Sequence, residues 1–90
     1  MKVRIVGVQH LSGEKSKKTG KPYDFGLLHV VGLKPEHFET EGNFMFGYRA
    51  ETITVSPDLL ATPVPSLCEI YCDRFGRVED IQVLEVFDSI

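Results

Sequence analysis

Ninety residues make one small domain, 1–90, and a hydrophobic content of 42% allows a packed core but a thin one. No apolar run approaches the about eighteen residues of a membrane span, and MKVRIVGVQH is too evenly charged for a secretion signal, so a cytoplasmic protein is expected. The net charge of −3 disfavours a polyanionic partner until its distribution is read: residues 1–34 carry seven lysines or arginines against Glu14 and Asp24, a net of +5, and residues 35–90 carry a net of −8. Screening in physiological salt acts over about 8 Å, so the local field decides where a polyanion docks.

Lys2 to Gln9 reads as a strand, with Val3 and Ile5 alternating with Lys2 and Arg4. Gly7 interrupts it and is a candidate bulge, which would let the strand curl. His10 to Lys21 has no apolar periodicity and reads as a hairpin loop. Four lysines, Lys15, Lys17, Lys18 and Lys21, fall within seven residues of it. A lysine run alone is more often a solvated loop than a binding site. Here it leads through Gly20-Lys21-Pro22 into Tyr23 and Phe25, two rings that share one face if the segment is a strand. Ammonium groups that track phosphates beside rings that stack on unpaired bases suit single-stranded nucleic acid.

Pro22 to Leu33 reads as the second strand, with its middle buried on both sides. Lys34 to Asn43 is a polar connection with room for one helical turn from Pro35. Its three glutamates make it a poor nucleic-acid contact. Phe44 to Val55 reads as a long third strand whose apolar parity switches, so a bend or change of sheet is expected near Ala50, beside Arg49. Ser56 to Pro65 is a proline-broken loop that excludes a helix of any length, and its Leu59, Leu60 and Val64 either close a barrel or meet a partner chain. Ser66 to Asp73 is a fourth strand, with Cys68, Ile70 and Cys72 inward. Asp73-Arg74-Phe75-Gly76-Arg77 is a tight turn with an exposed ring between two arginines, and Val78 to Phe87 completes a hairpin as the fifth strand. Five short strands, glycines at bends and no helix fit an all-β, five-stranded OB-like barrel with a protruding basic hairpin loop.

No phosphate-binding loop, zinc-protease motif or nucleophile elbow is present, so no enzyme activity is expected, and no cofactor, small-molecule substrate or membrane partner is called for. A metal site would need Cys68 and Cys72 to meet His10, His29 or His37, and the plainer reading is two buried thiols.

The opening strand KVRI, the basic loop leading into Gly20-Lys21-Pro22-Tyr23, and the C-terminal hairpin with Phe75-Gly76 resemble the single-stranded DNA-binding (helix-destabilising, gene V-type) proteins of filamentous bacteriophages. That resemblance implies an OB-like homodimer that coats viral single-stranded DNA cooperatively and with little sequence preference during replication in the host cytoplasm. Some members also bind messenger RNA and repress translation. Carried over by position, Lys18 takes the place of a basic loop residue, Tyr23 of the stacking tyrosine, Phe25 of an apolar contact, and Phe75 of the hairpin-tip aromatic that reaches DNA on a neighbouring subunit. Arg49 is the candidate for a third-strand lysine. Where some members have arginines on the last strand, this chain has Glu79, Asp80, Gln82 and Glu85, which leaves Arg74 and Arg77 to substitute. The alternative is a protein-interaction module using the acidic half and the proline-rich loop.

Overall fold

The computed structural model describes residues 1–14 and 20–89. Seven strands and one 3-10 turn follow in order: β1 (Lys2–Gly13), β2 (Tyr23–Val31), β3 (Glu36–Thr40), β4 (Asn43–Gly47), β5 (Ala50–Val55), the turn Pro57–Ala61, β6 (Ser66–Cys72) and β7 (Val78–Val86). Five form an antiparallel sheet in the order β5-β2-β1-β6-β7, and β3 and β4 form a separate hairpin. No ladder joins β5 to β7 among the described residues, so the sheet keeps two edges and is not a hydrogen-bonded closed barrel.

Alternation sorts the central strands. Val3 and Ile5 of β1, Leu28 and Val30 of β2, Val55 of β5, and Cys68 and Ile70 of β6 point to one side and form the core. Leu59 and Leu60, from the turn after Pro57, pack against it, so the proline-broken segment supplies a plug of a single 3-10 turn. Leu60 sits where a Cβ on Gly26 would be, within 2.6 Å, which is why β2 has glycine there. Val64 stays exposed. The β1–β2 ladder runs from Arg4↔Val31 to Gly13↔Tyr23, with its irregularity between Ile5 and Gly7, where the glycine suggests a bulge.

Several expectations need correcting. β1 continues four residues past Gln9, because cross-strand pairing with β2 extends the hairpin beyond its apolar pattern. β2 is buried on one face only: Leu28 and Val30 are covered, while Leu27 and His29 are half-exposed. The polar connection after Lys34 forms β3 rather than a helical turn, since pairing with β4 satisfies its backbone. The single long third strand divides at Tyr48 and Arg49 into β4 and β5, which belong to different sheets. Cys72 is exposed, not inward, because the β6–β7 register shifts between Tyr71 and Cys72; Cys68 is buried, its thiol 3.1 Å from the Ser66 hydroxyl.

Candidate nucleic-acid interface

The side of the sheet away from the core carries the aromatic pair. Tyr23 lies opposite Gly13 and Phe25 opposite Leu11, so both rings emerge on one face of the β1–β2 hairpin. Their centroids are 6.0 Å apart with planes tilted by 45°. Tyr23 is exposed and Phe25 half-buried. The Tyr23 ring lies across the backbone of Gly13, where an added Cβ would stand 2.6 Å from it. Glycine at that position is therefore what allows the ring to lie flat on the hairpin.

The same face continues down the sheet through Leu27, His29 and Val31 of β2, with Gln9 and Arg4 on β1 and Thr54, Thr52 and Ala50 on β5. His29 Nε2 and Gln9 Oε1 are 3.1 Å apart. Beside them a groove of about 390 Å³ is lined by Val6, His29, Val31, Ala50 and Thr52. Arg4 places its guanidinium 5.4 Å from the Phe87 ring, a flat cation held on an aromatic support. These residues were not singled out from the sequence, although the signal was there: Leu27 and His29 share the parity of Tyr23, and Arg4 that of Lys2. On the opposite, core-side parity of the same hairpin, His10 Nε2 bonds the Asp24 carboxylate.

The second predicted cluster forms as expected from local chemistry. Gly76 N–H donates to the Asp73 carbonyl at 3.0 Å and Asp73 N–H to the Arg77 carbonyl at 2.8 Å; Gly76, at φ 82°, turns the chain back into β7. The Asp73 carboxylate accepts from the backbone N–H groups of Phe75 and Arg77 at 2.8 and 3.0 Å. Those backbone donors, with the Arg77 guanidinium 3.3 Å away, hold the Asp73 carboxyl below the usual carboxylate range. The clamped turn presents Phe75, 68% exposed, with the Arg74 and Arg77 guanidinium carbons 4.9 and 5.6 Å from its ring centre.

Along β1 the two hairpins leave in opposite directions. Tyr23 pairs at the Gly13 end, whereas β6 runs past Met1 toward Cys72. The curl of the sheet nevertheless carries the Asp73–Arg77 turn round to β5. A groove of about 650 Å³ is lined by Ile53 to Ser56 on one side and by Asp73, Gly76, Arg77 and Val78 on the other. Thr54, which lies opposite Leu27 in the β2–β5 ladder, lines that groove together with Ile53, Val55 and Val78, which belong to the core or pack against it.

Arg49 lies apart from both clusters. Its Nε and Nη2 donate to the two carboxylate oxygens of Glu36 at 2.8 and 3.3 Å, which lowers the Glu36 carboxyl and raises the guanidinium. It ties the base of the β3–β4 hairpin, and its backbone carbonyl accepts from Gly32 N–H at 2.9 Å. Lys21 is exposed at the foot of β2, and Lys15, Lys17 and Lys18 lie outside the described residues. Among the described residues no cluster of three or more metal-ligating side chains occurs, and no helix is long and apolar enough to cross a membrane. No protein-family model, curated protein or solved structure matches this chain.

Proposed function

We propose that this chain binds single-stranded nucleic acid with little sequence preference, and that it does so as an OB-like domain assembling with further copies of itself. The observation that carries the reading is the Tyr23–Phe25 pair, an exposed ring beside a half-buried one on a hairpin whose connecting loop holds Lys15, Lys17, Lys18 and Lys21. Every base has a π-face, so stacking on such rings tolerates sequence, while lysines follow the backbone. The sheet order also supports it. OB-type barrels are partly open and bind strands on the face of their second and third strands and through the loops joining strands 1–2 and 4–5. In the five-stranded sheet those positions correspond to the outer face of β2 and β5, the basic loop, and the Arg74-Phe75-Gly76-Arg77 turn. The resemblance of KVRI, GKPY and Phe75-Gly76 to filamentous-phage helix-destabilising proteins extends the proposal to coating viral single strands during replication in the host cytoplasm, with binding rather than catalysis as the activity.

Arg49 contributes less to this reading than the other candidates, because Glu36 already occupies two of its donor positions. A protein-interaction role remains the second reading, favoured by the exposed rings of the acidic β3–β4 hairpin.

Titration of a labelled oligo-dT at several salt concentrations, against a duplex of equal length, tests the proposal. Tight single-strand binding with quenched tyrosine emission and a steep salt slope is expected. No binding at low salt would remove the nucleic-acid reading in favour of the interaction module. Within the expected outcome the roles divide: Lys18→Ala lowers the log–log salt slope by about 0.7, whereas Tyr23→Ala weakens binding by about 1–3 kcal/mol without changing it. Equal slopes for the two variants would refute that division.

A further inference from the structure

The β3–β4 hairpin stands apart from the main sheet, with no strand of which it pairs. Pairing of His37 with Phe46 and of Glu39 with Phe44 puts two phenyl rings, an imidazole and a carboxylate on one face. The imidazole meets both phenyl rings edge-on, at 6.4 Å from Phe44 and 5.8 Å from Phe46, so the three rings form one ordered surface. Phe44 is 66% exposed and Phe46 75%. Rings this exposed and contiguous mark an interaction surface rather than scattered surface hydrophobics.

The charge of the hairpin selects the occupant. Residues 36–47 include Glu36, Glu39 and Glu41 and no lysine or arginine. Arg49, at the base, is taken up by Glu36. The Glu39 and Glu41 carboxylates have no partner among the described residues, and Glu39 stands directly across from Phe44. A carboxylate beside two phenyl rings repels phosphate and attracts a cation, and the ring faces attract a cation as well. Other rings of this chain already hold such a group. The Arg74 and Arg77 guanidinium carbons lie 4.9 and 5.6 Å from the Phe75 centre, and that of Arg4 lies 5.4 Å from the Phe87 centre. With Arg49 on Glu36, all four arginines are engaged within their own protomer, and none covers Phe44 or Phe46. Guanidinium fits the vacant face better than ammonium, because its plane stacks on a ring while its forked N–H groups meet a carboxylate.

We infer that the Glu39–Phe44–Phe46 face binds an arginine-bearing segment of another protein, with a guanidinium on a phenyl ring and its N–H groups turned to Glu39. The inference rests on the second reading, that the chain takes protein partners, and gives that reading a place and a ligand chemistry; nucleic-acid binding is not required.

Fluorescence anisotropy of a labelled octapeptide of alternating arginine and glycine, titrated with the full chain at low salt, tests it. The matched lysine–glycine octapeptide is the ammonium probe and is expected to bind more weakly. Phe46→Ala should weaken the arginine peptide by about two- to fivefold, the worth of one exposed cation–π contact. Glu39→Gln should weaken it by a similar factor. Glu79→Gln removes the same charge from β7 and should change nothing. Thermal unfolding of each variant verifies the fold. No binding of the arginine peptide overturns the inference. So does equal binding of the lysine peptide, or equal loss in Glu39→Gln and Glu79→Gln, since either reduces the effect to bulk negative charge. Peptide binding that ignores both Phe46→Ala and Glu39→Gln leaves the protein-partner reading standing but removes this face from it. If Phe46→Ala weakens oligo-dT binding and spares the peptide, the rings belong to a nucleic-acid surface and the inference fails. Sedimentation of the chain alone is the remaining check: self-association disrupted by both Phe46→Ala and Lys18→Ala would give the face to the lysine loop of another copy and overturn the inference.

Discussion

Tyr23 and Gly13 work as a pair at the scale of single residues. The ring rests on the hairpin only because the opposite strand lacks a Cβ there. Gly13→Val should push the ring off the hairpin while the ladder persists, since the clash is with the free end of a side chain. Oligo-dT affinity should then fall toward that of Tyr23→Ala, and the double variant should lose little more than either single one. Additive losses in the three titrations would show that Gly13 acts in some other way. Asp73 is the other single residue with a defined task, organising the turn that carries Phe75. Its carboxyl is held low in the folded chain, so its contribution to stability is complete above the usual aspartate value of about 3.9 and is lost as pH falls through the lower folded value. Asp73→Asn should remove that share of the acid sensitivity, read as a flatter dependence of the urea midpoint on pH below about 4.

At the scale of elements, β2 serves two faces at once. Leu28 and Val30 belong to the core, while Tyr23, Phe25, Leu27 and His29 build the outer surface. The join between strand and plug is Gly26 under Leu60. Gly26→Val should cost about 1–3 kcal/mol through overpacking. Adding Leu60→Ala should recover part of the loss, so urea unfolding of the two singles and the double would show a sum larger than the double. Full additivity would place the cost in the β2 backbone instead. β3 and β4 show how pairing overrides composition: KPEHFETEGN is polar enough to read as a loop, but a two-residue turn with Gly42 at φ 79° lets it lie against NFMFG. The turn chemistry was visible in Glu41-Gly42; the partner strand was hidden because Phe44 to Val55 ran on as one apolar stretch.

The molecule as a whole is extended for its length. Its radius of gyration is 15.3 Å, against about 12 Å for a compact chain of this size. Among the described residues seven apolar side chains are buried and thirteen large ones are exposed, so the core is small relative to the apolar surface left uncovered. Leu28→Ala should cost about 2–5 kcal/mol, a large share of the about 5–15 kcal/mol that holds a domain together. A urea midpoint for that variant close to the wild type would mean that most stability resides outside this core. The acidic and basic halves also belong to this scale. The single-strand reading is compatible with a net charge of −3 because the positive charge is concentrated in one hairpin.

Short-range rules made much of the chain legible before any coordinates. Alternation put Tyr23 and Phe25 on one face and Cys68 and Ile70 in the core, and the DRFGR segment announced its own turn, because each depends only on side-chain period or local hydrogen bonding. The parity switch near Ala50 likewise foretold a change of sheet. What lay beyond reach depends on contacts distant in sequence. A register shift turned Cys72 outward, Glu36 drew Arg49 away from the candidate interface, and the curl that brings Arg77 to Thr54 arises from the twist of all five strands. Residue type and period belong to the sequence itself; which edges stay open, and which rings are left uncovered, were decided by how the strands paired.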